Sequence, residues 1–283
     1  MKLLVFGQTG QVARALEAGS GPLKLQSLGR AEADFTHPDA CAAHVHETDA
    51  QAIIIAAAYT AVDKAESDEP VAHLVNADTP GAIARAAAAR ALPLVHISTD
   101  YVFDGSGQTP FATDHPVAPL GAYGRTKEAG EAQIRAAGGP HAILRTSWVF
   151  SPHGNNFVKT MLRLGADRDA LSIVSDQVGG PTAASDIASA CLNIARQLTH
   201  NPDKSGTYHF SGGPDVSWAD FARAIFDRAG VACHVNNIPS SEYPTPAARP
   251  LNSRLDTSTT QRVFGIARPD WAPALDAVID TKD

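Results

Sequence analysis

Short apolar runs recur through the first half of the chain: LLVF from Leu3, LKLQSL from Leu23, AIIIAAA from Ala52, LPLVHIS from Leu92 and HAILRTS from His141. Each reads as a strand, and helix-forming stretches begin between them near Gln11, Pro38, Thr79 and Ala122. Strands apolar on both faces and separated by helices predict a parallel sheet covered on each side, the doubly wound α/β class. After Trp148 the rhythm changes. NNFVKTMLRLG and AASDIASACLNIARQL read as helices, LSIV and GTYHF as strands, SWADFARAIFDRAG as a helix capped by Ser217, and SSEYPTPAARPLNSRLD as a loop broken by prolines.

The first strand runs into Gly7-Gln8-Thr9-Gly10-Gln11-Val12-Ala13 and then a helix. Glycines at such a turn let the backbone approach a pyrophosphate, and the helix amino terminus offers free N–H groups to the anion. The spacing is G-x-x-G-x-x-A rather than G-x-G-x-x-G, so by itself it also fits a tight strand-to-helix turn. The second strand ends at Gly29-Arg30, where many NAD-binding folds carry an acidic residue for the ribose hydroxyl. An arginine there suits a 2′-phosphate and favours NADP, or else it is a surface residue. Asp34 and Phe35 follow the same turn and could flank an adenine, although Phe35 equally suits a core position.

In GAYGRTKEAGE, Tyr123 and Lys127 are four apart, so on a helix they share one face. Alone, the pair is as consistent with a surface ring beside a solvated charge. The run HISTDYVFDG, however, brings Ser98, Thr99, Asp100 and Tyr101 to the carboxyl end of a strand, the edge where open α/β sheets bind ligands. A hydroxyl at Thr99, a phenol at Tyr123 and an ammonium at Lys127 could then converge beside a cofactor over the glycine loop. Reducing a carbonyl builds negative charge on its oxygen; a phenol can supply the proton, a nearby cation can stabilise the phenolate, and a hydroxyl can orient the carbonyl. We therefore expect an NADP-binding Rossmann-like domain over residues 1–147. Over 148–283 we expect mainly a substrate-binding region, with some elements returning to the main sheet.

At 283 residues, 44% hydrophobic and 19% charged, the chain has an ordinary globular composition. Its net charge of -7, with no basic stripe, argues against nucleic-acid binding. Cys41, Cys191 and Cys233 are too few and too scattered for a disulfide framework or zinc knot, which points to a cytoplasmic protein. No apolar stretch suggests a signal peptide or a membrane span. His44 and His46 form an H-x-H that a helix would turn to different faces, so no metal site is expected there.

The glycine loop, the hydroxyl at a strand end and Tyr-x-x-x-Lys together resemble the extended short-chain dehydrogenase/reductase superfamily. Within it, AAAYTAVDKAE, STDYVFDG, YGRTK, RTSWVF, GNNFVKTMLRL, DQVGGPT and YPTPAARPLNSRL resemble the dTDP-4-dehydrorhamnose reductase family, from residue 1 to about residue 265. The resemblance implies that Thr99, Tyr123 and Lys127 reduce the C4 ketone of dTDP-4-dehydro-6-deoxy-L-mannose to dTDP-L-rhamnose. It implies NADPH as cofactor, with NADH tolerated. Gly7, Thr9, Gly10, Gln11 and Val12 would line the pyrophosphate, and Ala56, Ala57, Ala58, Tyr59 and Thr60 would wall the cofactor. Trp148, Asn156 and Phe157 would face the sugar and thymine beside Thr99, Asp100 and Tyr101, and Arg249 would take the diphosphate.

Some members of the family bind magnesium at a dimer interface through acidic side chains, but the matching places here read Ala15 and Ser185. Neither the metal nor a metal-linked homodimer carries over, and nothing in the sequence supports a dimer. Related dehydratases carry two acidic residues after the threonine, whereas here Asp100 is followed by Tyr101, which favours simple reduction over elimination. Other readings are a reductase or epimerase for another sugar nucleotide, and a non-catalytic NADP-binding regulatory subunit, which would need no complete acid set.

Overall fold

The computed structural model describes residues 1–281. Its centre is a sheet of parallel strands that includes β1 (Lys2–Phe6), β2 (Lys24–Leu28), β3 (Ala52–Ile55), β4 (Leu94–Thr99) and β5 (His141–Thr146). Across the sheet the order is Gly206–His209, β5, β4, β3, β1, β2. The chain winds outward from β1 to β2, then returns to build the other half from β3, so the direction of winding reverses between β1 and β3. That reversal opens a crevice at the carboxyl ends of the strands.

Alternation along each strand feeds two cores. Leu3 and Val5 of β1 pack with Ile54 under α1 (Gln11–Gly19) and the long helix Ala184–His200, while Leu4 and Phe6 pack with Ile53 and Ile55 under helices Pro38–Glu47 and Thr79–Ala89. Side chains successive along a strand point to opposite faces, so the continuous apolar run of β1 serves both layers. Each fully buried Leu or Ile contributes about 1.5–3 kcal/mol.

The helix Ala122–Ala137 packs through glycines against the turn after β4 and against the helical turn that holds Asn76. A Cβ on Gly124 would lie 2.2 Å from the Tyr101 carbonyl oxygen, and one on Gly130 would lie 2.1 Å from that of Asn76. Neither position admits a side chain; the first contact sets how closely this helix approaches the turn after β4, the second how closely it approaches the turn Leu74–Asp78. The helix expected to begin near Thr79 is continuous with earlier turns: Glu69–His73 passes through a widened π-helical turn at Leu74–Asp78. Pro80 supplies no N–H to the Asn76 carbonyl, and the register widens there, with the Thr79 N–H reaching back to the Leu74 carbonyl.

The later part of the chain builds smaller sheets. Ala170–Val174 pairs with His234–Ile238, Val149–Phe150 pairs with Thr182–Ala183, and Val178–Gly179 lies between Val216–Ser217 and Asn252–Ser253. Their core joins Phe150, Val158, Phe221, Ile225 and Trp271. Ser217 caps the helix Trp218–Ala229 by accepting from the Asp220 N–H. The strand Gly206–His209 pairs with β5 and so belongs to the main sheet.

Candidate active site

Gly7 leaves β1 at φ +126°, a left-handed conformation, and a Cβ there would lie 3.2 Å from the Ala57 nitrogen. The crowding arises because the turn after β3 crosses here, its Ala56 and Ala57 N–H groups donating to the Phe6 carbonyl at 2.9 and 2.8 Å. Gly10 is a different case. Its φ is -70°, and a Cβ would meet nothing within 4 Å. Gly10 is the N-cap of α1, which has no side-chain cap and no acidic residue in its first turn. The missing side chain leaves the first-turn N–H groups open to a phosphate.

A cleft of 910 Å³ spreads from this turn, and its lining includes Gly7, Thr9, Gly10, Gln11 and Val12. Ala56, Ala57, Ala58, Tyr59 and Thr60 form one wall. The buried Asn76 amide holds that wall, accepting from the Tyr59 N–H at 2.8 Å and donating to its carbonyl at 3.1 Å. Arg30, Asp34 and Phe35 form the far end. The Arg30 side chain is 84% exposed and 3.6 Å from Asp34, so it remains free to turn to a phosphate. Hydrogen bonds from the Thr36 N–H and hydroxyl, helped by Arg30, hold the Asp34 carboxyl below its usual range. Phe35 also packs edge-on against Phe6, so it serves core and cleft together. Gly7, Gly10 and Arg30 thus fit a dinucleotide with a 2′-phosphate.

At the other end, Thr99, Asp100, Tyr101, Tyr123 and Lys127 border the same cleft. Thr99 ends β4 and caps the turn Asp100–Val102, its Oγ1 accepting from the Tyr101 N–H at 3.2 Å and donating to Asp100 Oδ1 at 3.1 Å. Tyr123, in the first turn of its helix, meets the Tyr101 ring edge-on at 5.5 Å. Burial and then the Asp100 carboxylate push the Tyr123 phenol up to about 12, against a smaller opposing effect of the Thr99 hydroxyl. It therefore holds its proton at neutral pH. Burial likewise pushes Asp100 up to about 6.

The sequence suggested that Tyr123 and Lys127 meet over one spot. Both reach the cleft, but the hydrogen bonds of Lys127 run to β4: Nζ donates to the Ile97 carbonyl at 2.7 Å and lies 3.1 Å from His96 Nε2. Burial pulls the lysine down to about 8, against the attraction of Glu131 one turn along. Glu131 is fully buried, accepting from Arg145 Nε at 2.9 Å and Nη2 at 2.6 Å, from Ser98 at 2.6 Å and from Arg135 at 3.0 Å.

Of Trp148, Asn156 and Phe157, expected at the sugar and thymine, and Arg249, expected at the diphosphate, Trp148 borders the cleft, with a left-handed φ of +49°. Its indole stacks on Trp218 with centroids 3.5 Å apart. Asn156, Phe157 and Arg249 are set back from the lining. Asn156 caps the helix Phe157–Ala166 and donates to Gln11 Oε1 at 3.0 Å, so the Gln11 side chain ties the glycine turn to the later region. Phe157 packs against Trp218 and Phe221 because it opens the apolar face of that helix. Arg249 bonds Asp63, and its Nη1 is buried without a partner. Asp63, His96, Glu131 and Trp218, which pack on or bond to these side chains, do not stand out in the sequence as site residues. For His96 the available signal was a polar residue inside the apolar run LPLVHIS; Asp63 and Trp218 gave none.

The whole chain, residues 1–283, matches the family model described as the RmlD substrate binding domain. It is 44% identical to a dTDP-4-dehydrorhamnose reductase of Sinorhizobium fredii, covering 96% of this chain and 94% of that one. A solved dTDP-4-dehydrorhamnose reductase of Clostridium acetobutylicum superposes with a TM-score of 0.91 at 35% identity over 99% of each chain. Another from Bacillus anthracis, in complex with NADP, does so with a TM-score of 0.91 at 33% identity over 99% of each. With the fold, the glycine turn and the Thr99, Tyr123 and Lys127 cluster on one cleft, these likenesses show that the chain belongs to the dTDP-4-dehydrorhamnose reductase family.

Proposed function

We propose that the protein reduces the C4 ketone of dTDP-4-dehydro-6-deoxy-L-mannose with NADPH, giving dTDP-L-rhamnose. The observation that carries this reading is the continuous cleft linking the Gly10 turn to Thr99, Tyr123 and Lys127. Reduction adds a hydride to the carbonyl carbon and a proton to its oxygen; bound NADPH supplies the hydride. Tyr123 Oη donates the proton as negative charge grows on the oxygen. The Lys127 ammonium stabilises the phenolate left behind. Thr99 Oγ1 turns its proton from Asp100 to the carbonyl oxygen and so orients it.

Gly7, Thr9, Gly10, Gln11 and Val12 would hold the pyrophosphate, Arg30 the 2′-phosphate, and Asp34 and Phe35 the adenine. Trp148, Tyr101 and Asp100 would hold the sugar, and Arg249, once turned from Asp63, the diphosphate. We place the reaction in the cytoplasm, where a protein with three unpaired, buried thiols is at home. No helix among the described residues is long and apolar enough to cross a membrane.

The test mixes purified protein, NADPH and the keto sugar nucleotide and follows loss of the reduced nicotinamide signal. Sugar-dependent oxidation with dTDP-L-rhamnose as product supports the reading. Tight NADPH binding without turnover would redirect it to another sugar nucleotide or to a non-catalytic NADP-binding subunit.

A further inference from the structure

A buried ammonium needs acceptors for its protons, and Lys127 is only 2% exposed. Its Nζ has the Ile97 carbonyl at 2.7 Å and His96 Nε2 at 3.1 Å. His96 lies on β4 three residues before Thr99, is 1% exposed, and has no partner at Nδ1. Burial, and then the Lys127 charge, hold its pKa well below the ordinary value, so the ring is neutral. A neutral imidazole has one donor and one acceptor nitrogen. An ammonium has no lone pair, so an Nε2–H facing it would set donor against donor. Only the tautomer with its proton on Nδ1 fits a charged Lys127.

That tautomer leaves a buried Nδ1–H unpaired, which is destabilising. A residue present only to fill the core would be better apolar. The unpaired nitrogen therefore counts as a local loss that the bond at Nε2 offsets. The other groups near Lys127 do not replace it. Glu131 attracts the lysine from the next turn of the same helix, but Arg145, Arg135 and Ser98 already bond its carboxylate. Arg145 of β5 adds like charge beyond it and lies 3.5 Å from His209 Nε2, and Tyr123 and Asp100 face the cleft.

We propose that His96 is a positioning residue for the reduction: through Nε2 it accepts a hydrogen bond from Lys127, fixes Nζ at the cleft wall and keeps the lysine an ammonium. The kinetic consequence rests on the reductase reading above, whereas the tautomer does not. Nitrogen-15 NMR of the intact, histidine-labelled protein reads the tautomer, with His96 assigned by the signals lost in His96→Gln. The expected result is an Nδ1-protonated ring that does not titrate between about pH 5.5 and 8. An Nε2-protonated ring, or one that titrates in that range, would overturn the proposal.

The kinetic arm compares His96→Phe, which keeps a ring but loses the acceptor, with His96→Gln, which offers an amide oxygen. His96→Phe should lower kcat about tenfold at neutral pH, leave the sugar KM within about twofold, and move the alkaline fall of the rate about one unit lower. His96→Gln should recover most of both changes. A folded His96→Phe with wild-type kcat and pH profile would sink the proposal. Should the Phe variant not fold, the tautomer decides. Should the wild-type protein not oxidise NADPH with the sugar, the reductase reading fails while the tautomer still tests the hydrogen bond.

Discussion

Arg249 Nη2 lies 2.8 Å from Asp63 Oδ2, and Asp63 Oδ1 also accepts from the Ala247 N–H at 3.2 Å. One carboxylate thus pins the proline-rich loop to the stretch that follows β3. The guanidinium proposed for the diphosphate waits in an ion pair from which an anion must draw it. Arg249→Ala should raise the sugar KM about tenfold or more, with a smaller change in kcat, since a charge-assisted hydrogen bond contributes about 1.5–3 kcal/mol. Steady-state kinetics with varied sugar checks this, and an unchanged KM would remove Arg249 from the binding surface.

Tyr123→Phe removes the hydroxyl proposed as proton donor and little else. Turnover should fall by about 10²–10⁴-fold while NADPH affinity stays near wild type. Single-turnover oxidation measured beside a binding titration separates the two, and a variant that retains turnover would exclude Tyr123 as the acid.

Burial brings Lys127 from an ordinary 10.5 down to about 8, so the ammonium is lost as pH rises through that value. The rate should decline above about pH 8, and the Tyr123 phenol, pushed up to about 12, is not the cause. Stability has the opposite sign. Between about 8 and 10.5 the unfolded chain binds a proton that the folded chain does not, so the Lys127 contribution to stability grows with pH. Rate and circular dichroism recorded across the same range should therefore diverge; a loss of fold that accompanies the loss of rate would contradict the assignment.

Glu131 and Arg145 form a buried pair, whereas Arg125 and Glu69 form a half-exposed one. Glu131→Ala strands a buried guanidinium and should cost about 3–5 kcal/mol. Arg125→Ala should cost about 0–1 kcal/mol. Denaturant titration of both variants measures the contrast, and equal losses would show that burial is not what distinguishes the pairs.

The two glycines of the turn should respond differently. Gly7→Ala forces a side chain into a left-handed, crowded position and should destabilise the fold by about 1–3 kcal/mol. Gly10→Ala has both room and an ordinary φ, but Ala is a poorer N-cap than Gly, so the two effects offset and stability should change by less than about 1 kcal/mol. NADPH affinity should nevertheless fall in Gly10→Ala. Full affinity would mean that the pyrophosphate lies elsewhere.

The apolar runs at Leu3, Ala52 and Leu92 made the doubly wound sheet legible because strands buried on both faces leave a nearly continuous hydrophobic record. Ser217 was legible as a cap because capping is local. The lysine contact with His96 was not, since it joins positions 31 residues apart in sequence through packing that no local pattern records. The same holds for the Asp63 and Arg249 pair, 186 residues apart. Asn156 and Phe157 were read as facing the sugar and thymine, but Asn156 is engaged in helix capping and Phe157 packs on the core of the smaller sheets.

Gly124, one residue after Tyr123, lets its helix press against the Tyr101 carbonyl, so a side chain at that glycine would push the helix start outward. Re-tailoring the protein for bulkier sugars through this helix would shift the phenol proposed as acid away from the carbonyl proposed to receive its proton. The Trp148 side of the cleft leads into the two-residue strand Val149–Phe150 and lies on a different element from the proposed acid, so on this reading substrate range can diverge there while the chemistry stays fixed.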